Sequence, residues 1–287
     1  MSERDLATPT ARPQPGSVGV GERGRPEHRR LLRRPLGDRW LRVTSLIVFA
    51  VAWQLYAAPK NPILLPTPIA VLNAFVELVS NGTLVGALAG SFAELILGFG
   101  MAVIVGIGVG ILMGRYHRFE VIFDPYVSFM NATPLVAFIP LLIIWVGIEF
   151  PARVIVVFLL SVWPILINTV AGIKNANRGL VEVGTSFGLS EVQLLRWVSL
   201  PSAVPYILAG TRNGIAKGIV GMIIGEMDMA LAGLGGLVAD FGDSFQTSKL
   251  MAVIFCTSIF GVAFVVLLNF TERRRFAWIK ETAGSQK

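Results

Sequence analysis

Long apolar runs separated by short polar segments organise the chain from about residue 40 onward. A helix needs about 20 residues to cross a hydrocarbon core of about 30 Å, and most of these runs reach that length. The pattern predicts six membrane-spanning helices, at about 41–58, 85–113, 123–146, 154–173, 204–224 and 250–270. We therefore expect an all-α integral membrane protein, with a transmembrane domain over residues 40–275.

Two stretches depart from a simple crossing. Residues 67–82, between the first two spans, have apolar positions at helical spacing but are interrupted by Asn73 and Glu77, which favours a short interfacial helix. Pro134 and Pro140 in the third span remove backbone donors and predict a kink or a break. Broken helices line cavities or are buried in protein, so the translocation-path candidates in this span are Asn131, Thr133 and Pro134, with an ordinary kink as the alternative.

Small residues repeat every fourth position in two of the spans. In the second span they are Gly98, Ala102, Gly106, Gly110 and Gly114, and in the fifth they are Gly210, Gly214 and Gly218. Such stripes let helix backbones approach closely in a bilayer. They predict tight helix packing and do not indicate a binding site.

The composition agrees with a membrane protein, because 54% of residues are hydrophobic and only 15% are charged, against about 25% charged in soluble domains. Residues 1–39 are different: they are rich in Pro and Gly and hold nine arginines against five acidic residues, which predicts a disordered basic cytoplasmic tail. We expect residues 276–287 to be a second cytoplasmic tail. The single cysteine, Cys256, excludes a disulfide within the chain, and two distant histidines make a metal site improbable.

The net charge of +7 is distributed in step with the predicted crossings. Basic residues are concentrated in the two tails and in the second and fourth connections, while the intervening loops are neutral or acidic. This alternation predicts that both termini are cytoplasmic. The basic excess therefore indicates orientation and not a nucleic-acid partner.

A few charges fall within the predicted spans, where an ionisable group costs roughly 2.5–3.5 kcal/mol unless it has a partner, water or a role. They are Glu94, Arg212, Lys217 and Glu226. Two interpretations of Lys217 remain open. It could form an ion pair with Glu94, or it could face an aqueous path together with Asn213, where its charge would favour an anionic solute.

The connection from Lys174 to Ser199 is too long and too apolar for a simple turn. A helix beginning near Asn177 would place Leu180, Val183, Gly184 and Phe187 on one side. Gly188 suits the end of that helix, and Ser190 suits the N-cap of a second short helix. An apolar face outside the bilayer predicts docking into a groove of another protein, with a helical pair lying on lipid as the alternative.

This connection also carries a motif. Glu182, Val183 and Gly184 are followed by Gly188, Val198 and the pair Leu200–Pro201 at the spacing E-A-A-x3-G-x9-I-x-L-P, so the chain resembles the membrane subunits of ABC importers. Further stretches are similar to the nitrate, sulfonate and taurine type: LLPTP from Leu64, TPLVAFIPLLIIWVGI from Thr133, WPILINTVAGIK from Trp163, GTRNGIAKG from Gly210 followed by GEM, and GLGGLV from Gly233. The resemblance covers about residues 40–275. The sequence departs from the family at Val183 and Gly184, at Glu94 and at Lys217.

The resemblance implies a MetI-like permease fold in the bacterial plasma membrane. It implies that residues 174–200 couple to a separate ABC ATPase, through Glu182, Val183, Gly184, Phe187, Gly188, Val198, Leu200 and Pro201. It also implies a second permease copy and an extracytoplasmic solute-binding protein as partners.

The chain has no G-x-x-x-x-G-K-[ST] phosphate loop, so we expect no catalytic residue in it, and ATP and Mg²⁺ would be bound by the ATPase. The alternative function is a secondary transporter of a small solute that works without an ATPase. Such a transporter would be expected to show internal repeats, and none is convincing here.

Overall fold

The computed structural model describes residues 35–229 and 232–275, with side chains for 40–229 and 232–271. All regular elements in these ranges are helical. The helices are α1 (Pro35–Ala57), α2 (Pro68–Ser80), α3 (Thr83–Arg115), α4 (His117–Ala132), α5 (Ile139–Val146), α6 (Phe150–Lys174), α7 (Arg178–Ser186), α8 (Glu191–Leu194), α9 (Leu200–Met229), α10 (Gly233–Asp243) and α11 (Thr247–Arg275). A 3₁₀ turn (Leu135–Phe138) precedes α5, and a π-helical turn (Leu195–Ser199) joins α8 to α9.

The predicted all-α membrane fold is confirmed. Five of the described segments are long and apolar enough to cross a bilayer, namely α1, α3, α6, α8 continued into α9, and α11; the bent pair α4 and α5 makes a sixth candidate. Helix α1 begins at Pro35, inside the segment predicted as tail, and the rest of that tail and residues 276–287 lie outside the described residues. The chain forms two compact units that divide between Val48 and Phe49.

The predicted break in the third span lies at Thr133 and Pro134, where α4 and α5 with its 3₁₀ turn meet at 93°. Thr133 is extended (φ −79°, ψ 136°), as expected for a residue whose helical conformation would clash with the following proline ring. Its hydroxyl donates to the Phe129 carbonyl oxygen at 2.7 Å. Pro140 does not kink the span, because it lies in the first turn of α5, where no backbone N–H is needed.

Helix α6 lies between α3 and α9 and packs against the glycine stripe of each. A Cβ placed on Gly110 of α3 would lie 2.6 Å from the Thr169 Cβ, and one on Gly214 of α9 would lie 2.8 Å from the Ile165 side chain. These distances are well below carbon–carbon contact, so only glycine permits the observed spacing. The prediction of tight packing is confirmed. Leu95, Ile165 and Ile215 are fully buried where the three helices meet.

The shorter helices complete the bundle. Helix α2, predicted from its spacing, begins after Thr67, whose hydroxyl accepts from the Ala70 N–H at 3.3 Å, and it packs against α11. Helix α10 was not predicted, because four glycines between residues 233 and 242 are typical of a loop. Asp240 and Asp243, which belong to the acidic connection after the fifth predicted span, lie on this helix, and both are exposed.

Candidate functional site

The connection after α6 is built from two capped helices. The Asn177 side chain accepts from the N–H groups of Gly179 and Leu180 and begins α7. Gly188 has φ +76°, a left-handed conformation that ends the helix, and the N–H of Leu189 donates to the Gly184 carbonyl oxygen across it at 3.0 Å. Both features match the prediction.

A second cap follows two residues later. The Ser190 hydroxyl accepts from the Gln193 N–H at 3.4 Å, and the Gln193 side chain accepts from the Ser190 N–H at 2.8 Å, which forms a capping box. The sequence predicted a separate short helix after Ser190. In the structure, α8 instead continues through the π-helical turn directly into α9. A continuous helix therefore links this part of the connection to the bundle.

One face of the connection is apolar and exposed. Leu180 and Val183 are each more than half exposed, and Phe187 is 83% exposed. These side chains line a groove of about 820 Å³ together with Gly184, Leu189, Trp197, Val198, Pro201, Ser202 and Pro205. The exposed apolar surface is large for one short segment, which is typical of a protein-binding surface.

Gly184, one of the departures from the family motif, has a packing explanation. A Cβ at this position would lie 2.7 Å from the Leu194 Cδ2 and 3.1 Å from the Leu189 Cδ1. The glycine allows α7 to approach α8 closely. Glu182, the acidic residue of the motif, is exposed on α7 but is not among the residues that line the groove.

Ion pairs tie the same end of the bundle together. Arg115, the last residue of α3, lies 2.9 Å from the carboxylate of Glu191 on α8. Lys174, the last residue of α6, pairs with Glu120 on α4. The basic residues that indicated orientation therefore contact the connection and its neighbours.

A cavity of about 430 Å³ lies between the broken third span, α6 and α9. Its lining contains the three polar residues Asn131, Thr133 and Lys217, with the apolar walls supplied by Leu135, Val136, Leu160, Trp163, Ala216 and Val220. The structure thus brings together three of the five predicted path residues. Pro134 forms the break beside the cavity, and Asn213 lies one turn from Lys217 on the same face of α9.

The exposed face of α9 is unusually polar for a membrane helix. Its exposed positions in the middle of the helix are Ala209, Arg212, Asn213, Ala216, Lys217 and Val220. They recur every three or four residues and so form one stripe, opposite the glycines that pack against α6. We call these six residues the α9 stripe.

Of the two interpretations of Lys217, the ion pair with Glu94 is wrong. Glu94 is 2% exposed, and its Oε1 accepts from the Nε of Arg153 at 2.7 Å. Arg153 begins the crossing of α6 beside α3, whereas Lys217 faces the cavity and makes no ion pair within the part of the chain that the structure describes. The sequence placed Arg153 in a loop with Glu149, so this partner was missed.

Glu226 is the most buried of the predicted intramembrane charges, with no exposed surface. Its Oε1 accepts from the Ser91 hydroxyl at 2.5 Å, and its Oε2 accepts from the Gly235 N–H at 2.8 Å. Ser91 in turn accepts from the Leu234 N–H at 2.9 Å. Glu226 therefore anchors the first turn of α10 to α3, a role that the sequence did not predict.

The contact between Glu226 and the first turn of α10 explains why the GLGGLV segment needs glycine at two positions. Gly233 has φ +66°, and a Cβ there would collide with the Glu226 carboxylate. A Cβ on Gly235 would collide with the Ile223 carbonyl oxygen of α9. The signal that could have revealed α10 was the pairing of a buried glutamate with closely spaced glycines.

The chain is similar to known transport proteins over most of its length. Residues 102–276 match the family model described as binding-protein-dependent transport system inner membrane component. The taurine transport system permease protein TauC of Escherichia coli is 30% identical, over 87% of this chain and 96% of the relative. A putative aliphatic sulfonates transport permease protein of Bacillus subtilis is 29% identical, over 85% and 90%.

Solved structures show the same fold. An inward-facing MetNI methionine ABC transporter matches with a TM-score of 0.56 at 18% identity, covering 67% of this chain and 93% of that chain. An amino acid ABC transporter with histidines matches with a TM-score of 0.58 at 21% identity, covering 70% and 98%. At these identities the likeness concerns the fold alone.

Proposed function

Because the chain belongs to the family of binding-protein-dependent transport system inner membrane components, and is a permease subunit of an ABC importer, we propose that it carries a small anionic solute past Lys217. The observation that carries this proposal is that Lys217 lines the cavity between the broken third span, α6 and α9. The transport of taurine and of aliphatic sulfonates, which is named for two relatives, agrees with a path that holds a fixed positive charge.

The depth of Lys217 supports this assignment. At about 1.5 Å per residue, it lies roughly 26 Å from the start of α9 and roughly 18 Å from its end. A cation so far from both ends is costly in hydrocarbon, so water or another protein surface must face it. A hydrated cavity of this kind attracts anions and repels cations.

The α9 stripe supports pairing with a second copy. It presents the Lys217 cation and the Asn213 amide at bilayer depth, which would be unfavourable against lipid tails. Two copies meeting near this stripe by a two-fold axis would enclose a path lined by Lys217 from both. We therefore propose a homodimer.

The groove of the α7–α8 connection is the proposed docking surface for the ATPase. Phe187 and Val183 supply exposed apolar contacts, and Glu182 adds an exposed charge elsewhere on α7. Gly188 sets the angle between the two helices, and Leu200 and Pro201 mark the entry into the long span. ATP and Mg²⁺ would be bound and used by that partner, with this chain contributing no catalytic residue.

The orientation of the bundle in the membrane decides at which end the solute-binding protein would dock. The basic residues at the α7–α8 end favour a cytoplasmic position for it, and we expect both termini on that side. The solute-binding protein would then deliver its cargo at the opposite end.

Uptake through the assembled importer tests the anion proposal. The permease is reconstituted with its ATPase and binding protein, and uptake of taurine, an alkanesulfonate, nitrate, benzoate and choline is measured. We expect uptake of at least one anionic probe, a loss of about tenfold or more in Lys217→Ala, and retention in Lys217→Arg. One charge interaction at 4 Å is worth about 4 kcal/mol at an effective dielectric of 20, enough for such a loss.

Lys60→Ala, which removes an exposed loop cation, is the matched control and should leave uptake unchanged. Unchanged anion uptake in Lys217→Ala, or uptake of choline alone, would contradict the proposal.

A further inference from the structure

Two carboxyl groups meet in the buried core between α3 and α9. Ser91 and Glu94 lie one turn apart on the same face of α3, and Ser91 hydrogen-bonds the Glu226 carboxylate. The hydrogen bond to Ser91 therefore places the Glu226 carboxylate beside Glu94. Glu94 is 2% exposed and Glu226 is 0% exposed, so both carboxyl groups are removed from bulk water.

Three of the four carboxylate oxygens of Glu94 and Glu226 have a hydrogen-bond donor. Glu94 Oε1 accepts from Arg153, and the two oxygens of Glu226 accept from Ser91 and Gly235. Glu94 Oε2 is buried and has no hydrogen-bond partner among the described residues. An unpaired buried carboxylate oxygen is costly, and here it lies beside a second carboxylate.

The balance of charges in this site points to a bound proton. The charged side chains that face the site are Arg153 from α6, Glu94 from α3 and Glu226 from α9. Helix α10 contributes backbone N–H groups, while its acidic side chains are exposed. One guanidinium against two carboxylates leaves a net charge of −1 in a buried site, and one bound proton neutralises it.

We propose that Glu94 and Glu226 share one proton, which lies on the otherwise unpaired oxygen of Glu94 and is donated to Glu226. The proton satisfies Glu94 Oε2 and relieves the repulsion between neighbouring carboxylates. The titration belongs to the pair and not to either residue alone.

The proton would also fix the position of α10. Glu226 holds the first turn of α10 through Gly235, and Ser91 holds it through Leu234. Loss of the proton leaves two adjacent buried carboxylates beneath the first turn of α10, and movement of α10 away from this site admits water that solvates them. The pair is therefore a pH-sensitive latch for α10, independent of the solute and of the ATPase.

Glu94→Gln tests the latch, because the amide reproduces the protonated acid. Its oxygen can accept from Arg153, its NH₂ can donate to Glu226, and the site becomes neutral without a proton. The melting temperature of the full-length protein in lipid nanodiscs is measured from pH 5 to pH 9. A proton bound in the folded protein and released on unfolding makes stability fall as pH rises through this range.

We expect the melting temperature of wild type to fall relative to Glu94→Gln by roughly 3 °C per pH unit until the pair loses its proton. Glu149→Gln, which removes an exposed carboxylate near the same end of α6, should follow wild type. Parallel melting curves for wild type and Glu94→Gln would overturn the proposal. So would stabilisation of wild type by Na⁺ at constant pH that Glu94→Gln abolishes, because a metal ion would then occupy the site.

Infrared spectroscopy gives a second test, and its result for the wild-type protein alone can overturn the proposal. We expect the carbonyl band of a protonated carboxylic acid at neutral pH, where exposed carboxyl groups are ionised. The band should disappear in Glu94→Gln and persist in Glu149→Gln. Absence of the band in wild type would overturn the proposal whatever the variants do.

Discussion

We predict that α3 and α6 can pack this closely only because the glycines of the stripe have no Cβ atom. Gly98 is the sharpest case, because a Cβ there would lie 2.7 Å from both the Val154 carbonyl oxygen and the Val157 Cβ. One of these atoms belongs to the backbone, so no side-chain rotation can relieve the contact. Gly100, two residues further along the same helix, serves as the control, because a Cβ there would meet no atom within 4 Å.

The magnitude follows from the geometry. Carbon atoms in contact are about 3.5–4.0 Å apart, so Gly98→Ala requires α3 to move away from α6 by about 1 Å. Overpacking of this kind costs about 1–3 kcal/mol. Gly100→Ala meets no obstacle and gains up to about 1 kcal/mol from helix propensity. The helix-propensity gain applies to both variants and cancels, so the two should differ by about 1–3 kcal/mol in their free energy of unfolding.

Equilibrium unfolding in mixed micelles, followed by circular dichroism, measures this difference. Both substitutions add one methyl group to the same helix, so changes in hydrophobicity cancel. Equal stability of the two variants, or a more stable Gly98→Ala, would refute the packing argument.

Two further predictions concern the connection and the buried ion pair. Gly188→Leu places a side chain at φ +76° and should uncouple ATP hydrolysis from uptake while leaving membrane insertion intact; wild-type uptake would exclude a coupling role for the turn. Arg153→Met leaves Glu94 buried without its cation and should cost about 3 kcal/mol, measured as chemical unfolding. Arg153→Met combined with Glu94→Gln should recover most of that loss, and no recovery would contradict the pairing.

Local sequence signals predicted much of this architecture. The glycine stripes of α3 and α9, the break at Pro134 and the caps at Asn177 and Ser190 all follow from positions a few residues apart. Such features depend on backbone geometry and short-range hydrogen bonds, which a sequence displays directly.

The pairings of the intramembrane charges could not be predicted in this way. Glu94 has Arg153 as its partner 59 positions away, and Glu226 has Ser91 as its partner 135 positions away. Which cation meets which carboxylate depends on the rotation of each helix about its axis, and six apolar spans fix that rotation only through packing. Helix α10 was missed for a related reason, since its glycines reflect contact with Glu226 and not local flexibility.

Solute accumulation in proteoliposomes distinguishes an importer driven by an ATPase from a transporter that works alone. The permease is reconstituted with its ATPase and solute-binding protein, and ATP is supplied on the side of the α7–α8 connection. We predict accumulation against a gradient that requires ATP, and an assembled Gly188→Leu complex that hydrolyses ATP without accumulating solute. Accumulation by the permease alone, driven by an ion gradient without ATPase or ATP, would contradict this function and identify a secondary transporter.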